Sequence, residues 1–161
     1  MEFKNPLLAV ADMERSVTFY RQVLGLEVIM DLGANVTLTG GVCLQTADSW
    51  AGFLERDPGE LGWCGKVSEL YFEEDAFDTF AEKLRSMDIH YVHPVKEHTW
   101  GQRVVRFYDP DCHIIEVGEA ISAVCRRFAD SGMTTEQIAR CMDVPVAFVE
   151  NAMQEGGPAD E

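Results

Sequence analysis

Positive charge is what this chain has least of. Thirteen Lys and Arg stand against 28 Asp and Glu, a formal net charge of −15 over 161 residues. A surface of that sign repels polyphosphates, so nucleic acid and anionic membrane surfaces are not expected among its partners. Long apolar runs are missing too, and none approaches the roughly 20 residues that cross a bilayer. The opening Met1-Glu-Phe-Lys-Asn-Pro6 has no apolar signal core. The five cysteines (Cys43, Cys64, Cys112, Cys125, Cys141) are odd in number and include no C-x-x-C pair. Free thiols in a reducing cytosol are therefore expected, with a cytoplasmic location. No Ser-His-Asp order, phosphate-binding glycine loop or dinucleotide fingerprint occurs, and Gly40-Gly41 reads as a turn.

What is present is a core-building sequence, 47% hydrophobic, with a repeated order of elements. Residues 3–10 read as a strand. Asp12 is placed to cap a helix in which Val17, Tyr20 and Leu24 recur at helical spacing, and Gly25 is its natural stop. Residues 26–30, 34–38 and 42–46 read as short strands separated by Gly33 and Gly40-Gly41. Residues 47–65, with Gly52, Asp57-Pro58-Gly59, Gly62 and Gly65, read as a linker. Its Trp50, Phe53, Leu54, Leu61 and Trp63 are apolar enough to pack. The order then repeats: strand 66–72, helix 75–87 with Phe77, Phe80, Ala81 and Leu84 on one face, then strands 89–92, 103–108 and 112–117. The expectation is an α+β chain of two βαβββ modules, residues 1–47 and 66–118. Each would leave a sheet face to cover, so the two are expected to pack together.

Residues 119–155 change character and read as a helical extension, followed by a tail, 156–161, expected to be disordered. Within the extension, residues 132–150 resemble a helix–turn–helix, with Thr134 or Thr135 as a cap and Pro145 in a first turn. Charge argues against DNA. Residues 119–161 carry eight acidic residues and three arginines, and residues 144–153 have no Lys or Arg. A packing or dimer-stabilising appendage is the expectation.

The segment from Trp100 to Gly118 is the most informative. It reads as strand, Asp109-Pro110-Asp111 turn and strand. Glu116 lies inside the apolar second arm, where a charge needs a partner, a metal or water. This hairpin, together with the opening residues 5–27 and their Leu24-Gly25-Leu26 helix end, resembles the glyoxalase / bleomycin-resistance / extradiol-dioxygenase superfamily, the vicinal oxygen chelate fold. The resemblance spans about residues 3–118. It implies a curved mixed sheet forming a cup with helices outside, and a homodimer.

The same resemblance implies metal-ligand positions at Asn5, Gln45, Glu69 and Glu116. Strand alternation agrees in part, since Glu69 shares a face with Tyr71, and Gln45 and Glu116 each point opposite to their neighbours. The set departs from the family pattern because it has no His. An all-oxygen set suits Mn²⁺, Mg²⁺ or Ca²⁺ better than Zn²⁺, and it does not fit two-His iron dioxygenase chemistry. Metal-bound and metal-free forms both stay open. At the cup's rim, Trp100 is placed to stack on a planar ligand with Tyr71, His98 to move a proton, and Arg103 or Arg106 to anchor an anionic group. A sheet-anchoring Trp, a surface His and strand arginines paired with carboxylates are the structural alternatives.

Two functions follow. One is a glyoxalase-like lyase or isomerase, in which a metal on Glu69 and Glu116 stabilises an enolate-like charge, with Glu116 and His98 as catalytic groups. The other is a metal-free protein that binds and sequesters a drug or antibiotic, as bleomycin-resistance proteins do. The partner in either case is a small molecule.

Overall fold

A computed structural model describes residues 1–155; the tail at 156–161 lies outside the described residues. Two four-stranded sheets and six α-helices are found among them, in the βαβββ–βαβββ order. The chain forms two compact units, the first being Met1–Glu69 with Tyr108–Ile114, the second Leu70–Phe107 with the described residues from Ile115 onward.

In the first unit, β1 (Leu7–Val10) leads to α1 (Met13–Leu24), then β2 (Val28–Asp31), β3 (Asn35–Leu38) and β4 (Cys43–Thr46). The sheet order is β1-β4-β3-β2, with β1 parallel to β4 and the other pairs antiparallel. Asp12 caps α1 by accepting from the Arg15 N–H at 3.0 Å, and Gly25 ends it with φ +70°. Val10, Tyr20, Leu38 and Leu44 are fully buried.

The stretch expected to be a linker contains a helix, α2 (Ala47–Phe53), and a 3₁₀ turn at Pro58–Glu60. Ala51 is fully buried. The helix makes up barely two turns and ends beside Gly52, so the glycine signal masked it. A second departure concerns the thiols. Cys64 and Cys112 form a disulfide across 48 residues, while Cys43, Cys125 and Cys141 are free. The sequence offered no signal for a pair so far apart, because the linker's path decides it.

The turn between the last two strands belongs to the first unit, and its carboxylates hold it there. Asp109 and Asp111 are 5% and 6% exposed. Asp109 Oδ1 accepts from the backbone N–H groups of Asp111 and His113 at 2.9 and 2.7 Å, and its Oδ2 accepts from the Tyr20 hydroxyl at 2.9 Å. Asp111 accepts from Arg15 at 2.6 Å and from the Ser16 hydroxyl at 3.0 Å. The His113 ring reaches the carbonyl of Ala9 at 2.8 Å. Burial pushes the Asp109 carboxyl above its usual range, and the His113 charge and the donated hydrogen bonds only partly offset that.

The second unit, together with the boundary residues Glu69, Tyr108 and Ile114 of the first, carries α3 (Phe77–Arg85) and a sheet of β5 (Glu69–Glu74), β6 (Tyr91–Glu97), β7 (Arg103–Tyr108) and β8 (Ile114–Glu119) in the order β5-β8-β7-β6. β6 runs past residue 92, the expected end of this strand, and continues through Pro94. The register slips on either side of His93, and β6 is an edge strand, so a missing N–H is tolerated. Three helices follow: α4 (Ile121–Asp130), α5 (Thr135–Met142) and α6 (Val146–Glu155). Val124, Cys125, Ile138, Ala139, Met142, Val149 and Ala152 form their common core. Thr134 and Gln137 close a capping box at α5. α6 carries no Lys or Arg. Among the described residues, no helix is long and apolar enough to cross a membrane.

Replacing Asp109 with Ala should strand the Tyr20 hydroxyl and two backbone N–H groups, each costing roughly 1–3 kcal/mol when buried. Urea unfolding of Asp109→Ala should show a loss of about 3 kcal/mol or more, and Tyr20→Phe a loss of about 1 kcal/mol.

Candidate functional site

The turn sets the phase of both strands that leave it. The Asp109 N–H donates to the His113 carbonyl at 2.9 Å, closing the hairpin. Three residues outward along each arm stand Arg106 and Glu116, which form an ion pair. Six residues outward stand Arg103 and Glu119, paired at 2.9 Å. Side chains three apart on a strand point to opposite faces, so the two pairs lie on opposite sides of the sheet.

One side packs against α3. Arg103 stacks over the Phe77 ring at 5.2 Å and bonds Asp78 at 2.7 Å as well as Glu119. These bonds raise the Arg103 pKa further, with burial opposing. Arg103, expected at the rim of a ligand site, is thus bound to carboxylates on the helix-covered face.

The other side carries the candidate site. His93 stands opposite Arg106 and Lys96 opposite Val104, and cross-strand partners share a face. Gln102 is in phase with Val104 and Arg106. It is 5% exposed, and its amide N–H groups donate to the Tyr71 oxygen at 2.8 Å and the Glu119 carbonyl at 2.9 Å. Its amide oxygen accepts from the Trp100 indole at 3.3 Å. The Tyr71 hydroxyl donates onward to Glu73 at 2.9 Å. His98 stacks on Trp100, ring centroids 4.1 Å apart and 14° from parallel. Gly118 gives the Tyr71 ring its place, since a Cβ there would sit 2.8 Å from the Gln102 amide nitrogen and 3.1 Å from the Tyr71 ring. Trp100 and Tyr71 remain 38% and 49% exposed, whereas Glu116 is 6% exposed.

Electrostatics follow from this packing. Burial pushes the Tyr71 hydroxyl up to about 12, with the Glu73 and Glu116 charges adding and the Gln102 donor opposing. Burial, then the charges of Arg106, Lys96 and His93, hold His98 below its usual value, so its imidazole is neutral near pH 7. Arg106 also contacts the His93 ring at 3.3 Å.

The remaining expected ligands lie in the first unit. Asn5 is exposed and donates to the Gly41 carbonyl at 2.7 Å. Gln45 is 3% exposed; it accepts from Asn35 at 2.8 Å and donates to Ser49 at 2.7 Å. Glu69 is an exposed residue at the start of β5. Among the described residues, no group of three or more His, Cys, Asp or Glu is placed to hold a metal ion. The sequence reading did not single out Gln102 or Gly118. Counting strand alternation back from Arg106 would have found Gln102; Gly118 carried no such signal.

Residues 3–122 match the family model described as Glyoxalase-like domain. The chain belongs to this family. A protein of unknown function from Agrobacterium tumefaciens str. C58 is 36% identical over 75% of this chain and 95% of that one, with a TM-score of 0.68. A glyoxalase/bleomycin resistance protein/dioxygenase from Nocardioides shares the fold at 21% identity, covering 74% and 83% of the two chains, TM-score 0.61. Lactoylglutathione lyase from Agrobacterium tumefaciens does so at 24% identity, covering 73% and 92%, TM-score 0.55. No curated protein matches the chain. The family match ends at residue 122, so almost all of α4 and the whole of α5 and α6 lie beyond it.

Glu119 supplies a pH test. Burial alone would raise its pKa, but hydrogen bonds from Arg103 and Arg127 outweigh burial and leave it lowered. A lowered carboxylate adds stability above its unfolded pKa and loses it as pH falls through the folded value. Thermal unfolding should therefore show a fall in melting temperature below about pH 4.5 that is flatter in Glu119→Gln.

Proposed function

We propose that this glyoxalase-family chain binds a small planar molecule on the Tyr71–Trp100 face of its second sheet, without a divalent metal. The supporting observation is the ion pair between Glu116 and Arg106. Glu116 stands where the family resemblance implies a metal ligand. A guanidinium already neutralises that carboxylate, and a divalent cation would have to displace it against charge repulsion. The Asn35 and Ser49 partners of the Gln45 amide point the same way. A lyase mechanism that places a metal on Glu116 is disfavoured for that reason.

The residues supply a different chemistry. Trp100 and His98 form an aromatic shelf held at one end by Gln102. A neutral imidazole in the stack presents a flat, weakly hydrated surface, which favours an aromatic ring over a hydrated ion. Tyr71 adds a second ring whose hydroxyl stays protonated at neutral pH. Gln102 is bonded at both ends of its amide, so the shelf is set before a ligand arrives and little side-chain entropy is lost on binding.

Titrating the full chain with 2-naphthoate, and separately with 2-naphthylmethylammonium, should move the Trp100 indole resonance with at least one of them. Trp100→Ala should weaken that binding about tenfold, or about 1.4 kcal/mol. Stoichiometric Mn²⁺ binding that disappears in Glu116→Gln would refute the metal-free reading.

A further inference from the structure

The shelf-bearing loop does not stand alone. Its path is a tight turn, with the Gly101 N–H donating to the His98 carbonyl and the His98 N–H to the Gln102 carbonyl, both at 2.9 Å. Gly101, between Trp100 and Gln102, has φ +88°. A Cβ on it would lie 2.1 Å from Cζ of Phe128 and 2.6 Å from its Cε2. The Phe128 ring of α4 therefore rests directly on the loop backbone. Beside it, Arg127 donates to the Gly101 carbonyl at 2.5 Å and to Glu119 at 2.9 Å. Its guanidinium lies 5.1 Å from the centre of the Phe128 ring.

α4 is itself held by the extension. Val124 and Cys125 are fully buried against α5 and α6, and Phe128 packs on the same core. At the other end of α4, the Ile121 N–H reaches Glu73 at 3.4 Å, the carboxylate that takes the Tyr71 hydroxyl proton bond. One helix thus touches both aromatic arms of the candidate site, and Arg127 and Phe128 come after the end of the family match.

We propose that the C-terminal three-helix extension sets the geometry of the ligand face, with Phe128 and Arg127 as positioning residues for Trp100 and Gln102. The proposal rests on the binding reading above for its functional meaning, but the placement of Trp100 is tested without a ligand. A helix that only covered apolar surface would have no reason to place a guanidinium on a loop carbonyl next to the shelf. Any change in how α5 and α6 seat against α4 would pass through Phe128 to the Trp100–His98 stack.

The experiment compares the full-length wild-type chain with Phe128→Ala, and with Phe148→Ala as control. Phe148 lies on α6 and is 44% exposed. The Trp100 indole N–H resonance, assigned with Trp100→Phe, reports the stack, and 2-naphthoate and 2-naphthylmethylammonium titrations report binding. Phe128→Ala should shift the indole resonance and weaken the bound probe roughly three- to tenfold, while Phe148→Ala leaves both unchanged. A folded Phe128→Ala with a wild-type indole resonance overturns the proposal. If Phe128→Ala does not fold, Arg127→Lys replaces it: a lysine keeps the charge toward Glu119 but cannot also fork to the Gly101 carbonyl, and an unmoved indole resonance there is equally fatal. If the indole shifts in Phe128→Ala but Trp100→Ala binds both probes as tightly as wild type, the binding reading fails and the positioning stands.

Discussion

Two buried carboxylates in one turn set the terms for the rest of the chain. Asp109 and Asp111 are acceptors for groups that lie about 90 to 100 residues earlier, on α1 and at Ala11 just after β1. Buried charges are tolerated only when donors surround them, and here Tyr20, Ser16, Arg15 and the backbone N–H groups of Ala11, Asp111 and His113 do so. No buried side-chain polar atom among the described residues lacks a partner. With the turn held, the hairpin register cannot slip by one residue without turning every side chain of β7 and β8 to the wrong face.

That register assigns two arginines to different tasks. Arg106 meets Glu116 on the face that also holds His93, Gln102 and Tyr71, while Arg103 meets Glu119 on the face covered by α3. The Glu119 cluster joins several elements. It receives Arg103 and Arg127, and Arg103 continues to Asp78. A buried pair of this kind adds little to stability compared with an apolar replacement, but removing one partner alone is expensive. Here Arg103 of β7 and Arg127 of α4 meet on Glu119, the last residue of β8, two residues before α4 begins.

The repeated strand–helix–strand order, the Asp12 cap, the Gly25 stop and the Asp-Pro-Asp turn were legible because each is a local signal with one physical cause. The family resemblance rested on the same residues. Other features depend on partners that no window of sequence contains. α2 was hidden by a glycine inside the last turn of a short helix. β6 continued through Pro94 because an edge strand can shed a hydrogen bond and slip register. The Cys64–Cys112 bond depends on where an irregular segment travels. Arg103 looked like an anchor for an anion because its strand position was readable, while Asp78 and Glu119, which occupy it, were not. Glu116 was rightly marked as a charge that needed an explanation, and both arginine candidates were named. Which arginine answered it followed from counting outward from the turn.

This bears on how one fold carries many chemistries. A carboxylate at a given strand position has no fixed role; its cross-strand neighbour decides it. Facing a neutral residue, Glu116 would be an available acceptor for a cation. Facing Arg106, it becomes the counter-ion of a guanidinium that also contacts His93. In a chain of net charge −15, that pairing also keeps the interior of the site from sharing the surface's strong bias toward cations. Under the proposed binding reading, such a site would discriminate by ring shape and hydrogen bonding, through Trp100, Gln102 and Tyr71, rather than by bulk charge. A planar ligand would gain from that arrangement, because stacking works best where neither partner must give up a tightly held hydration shell.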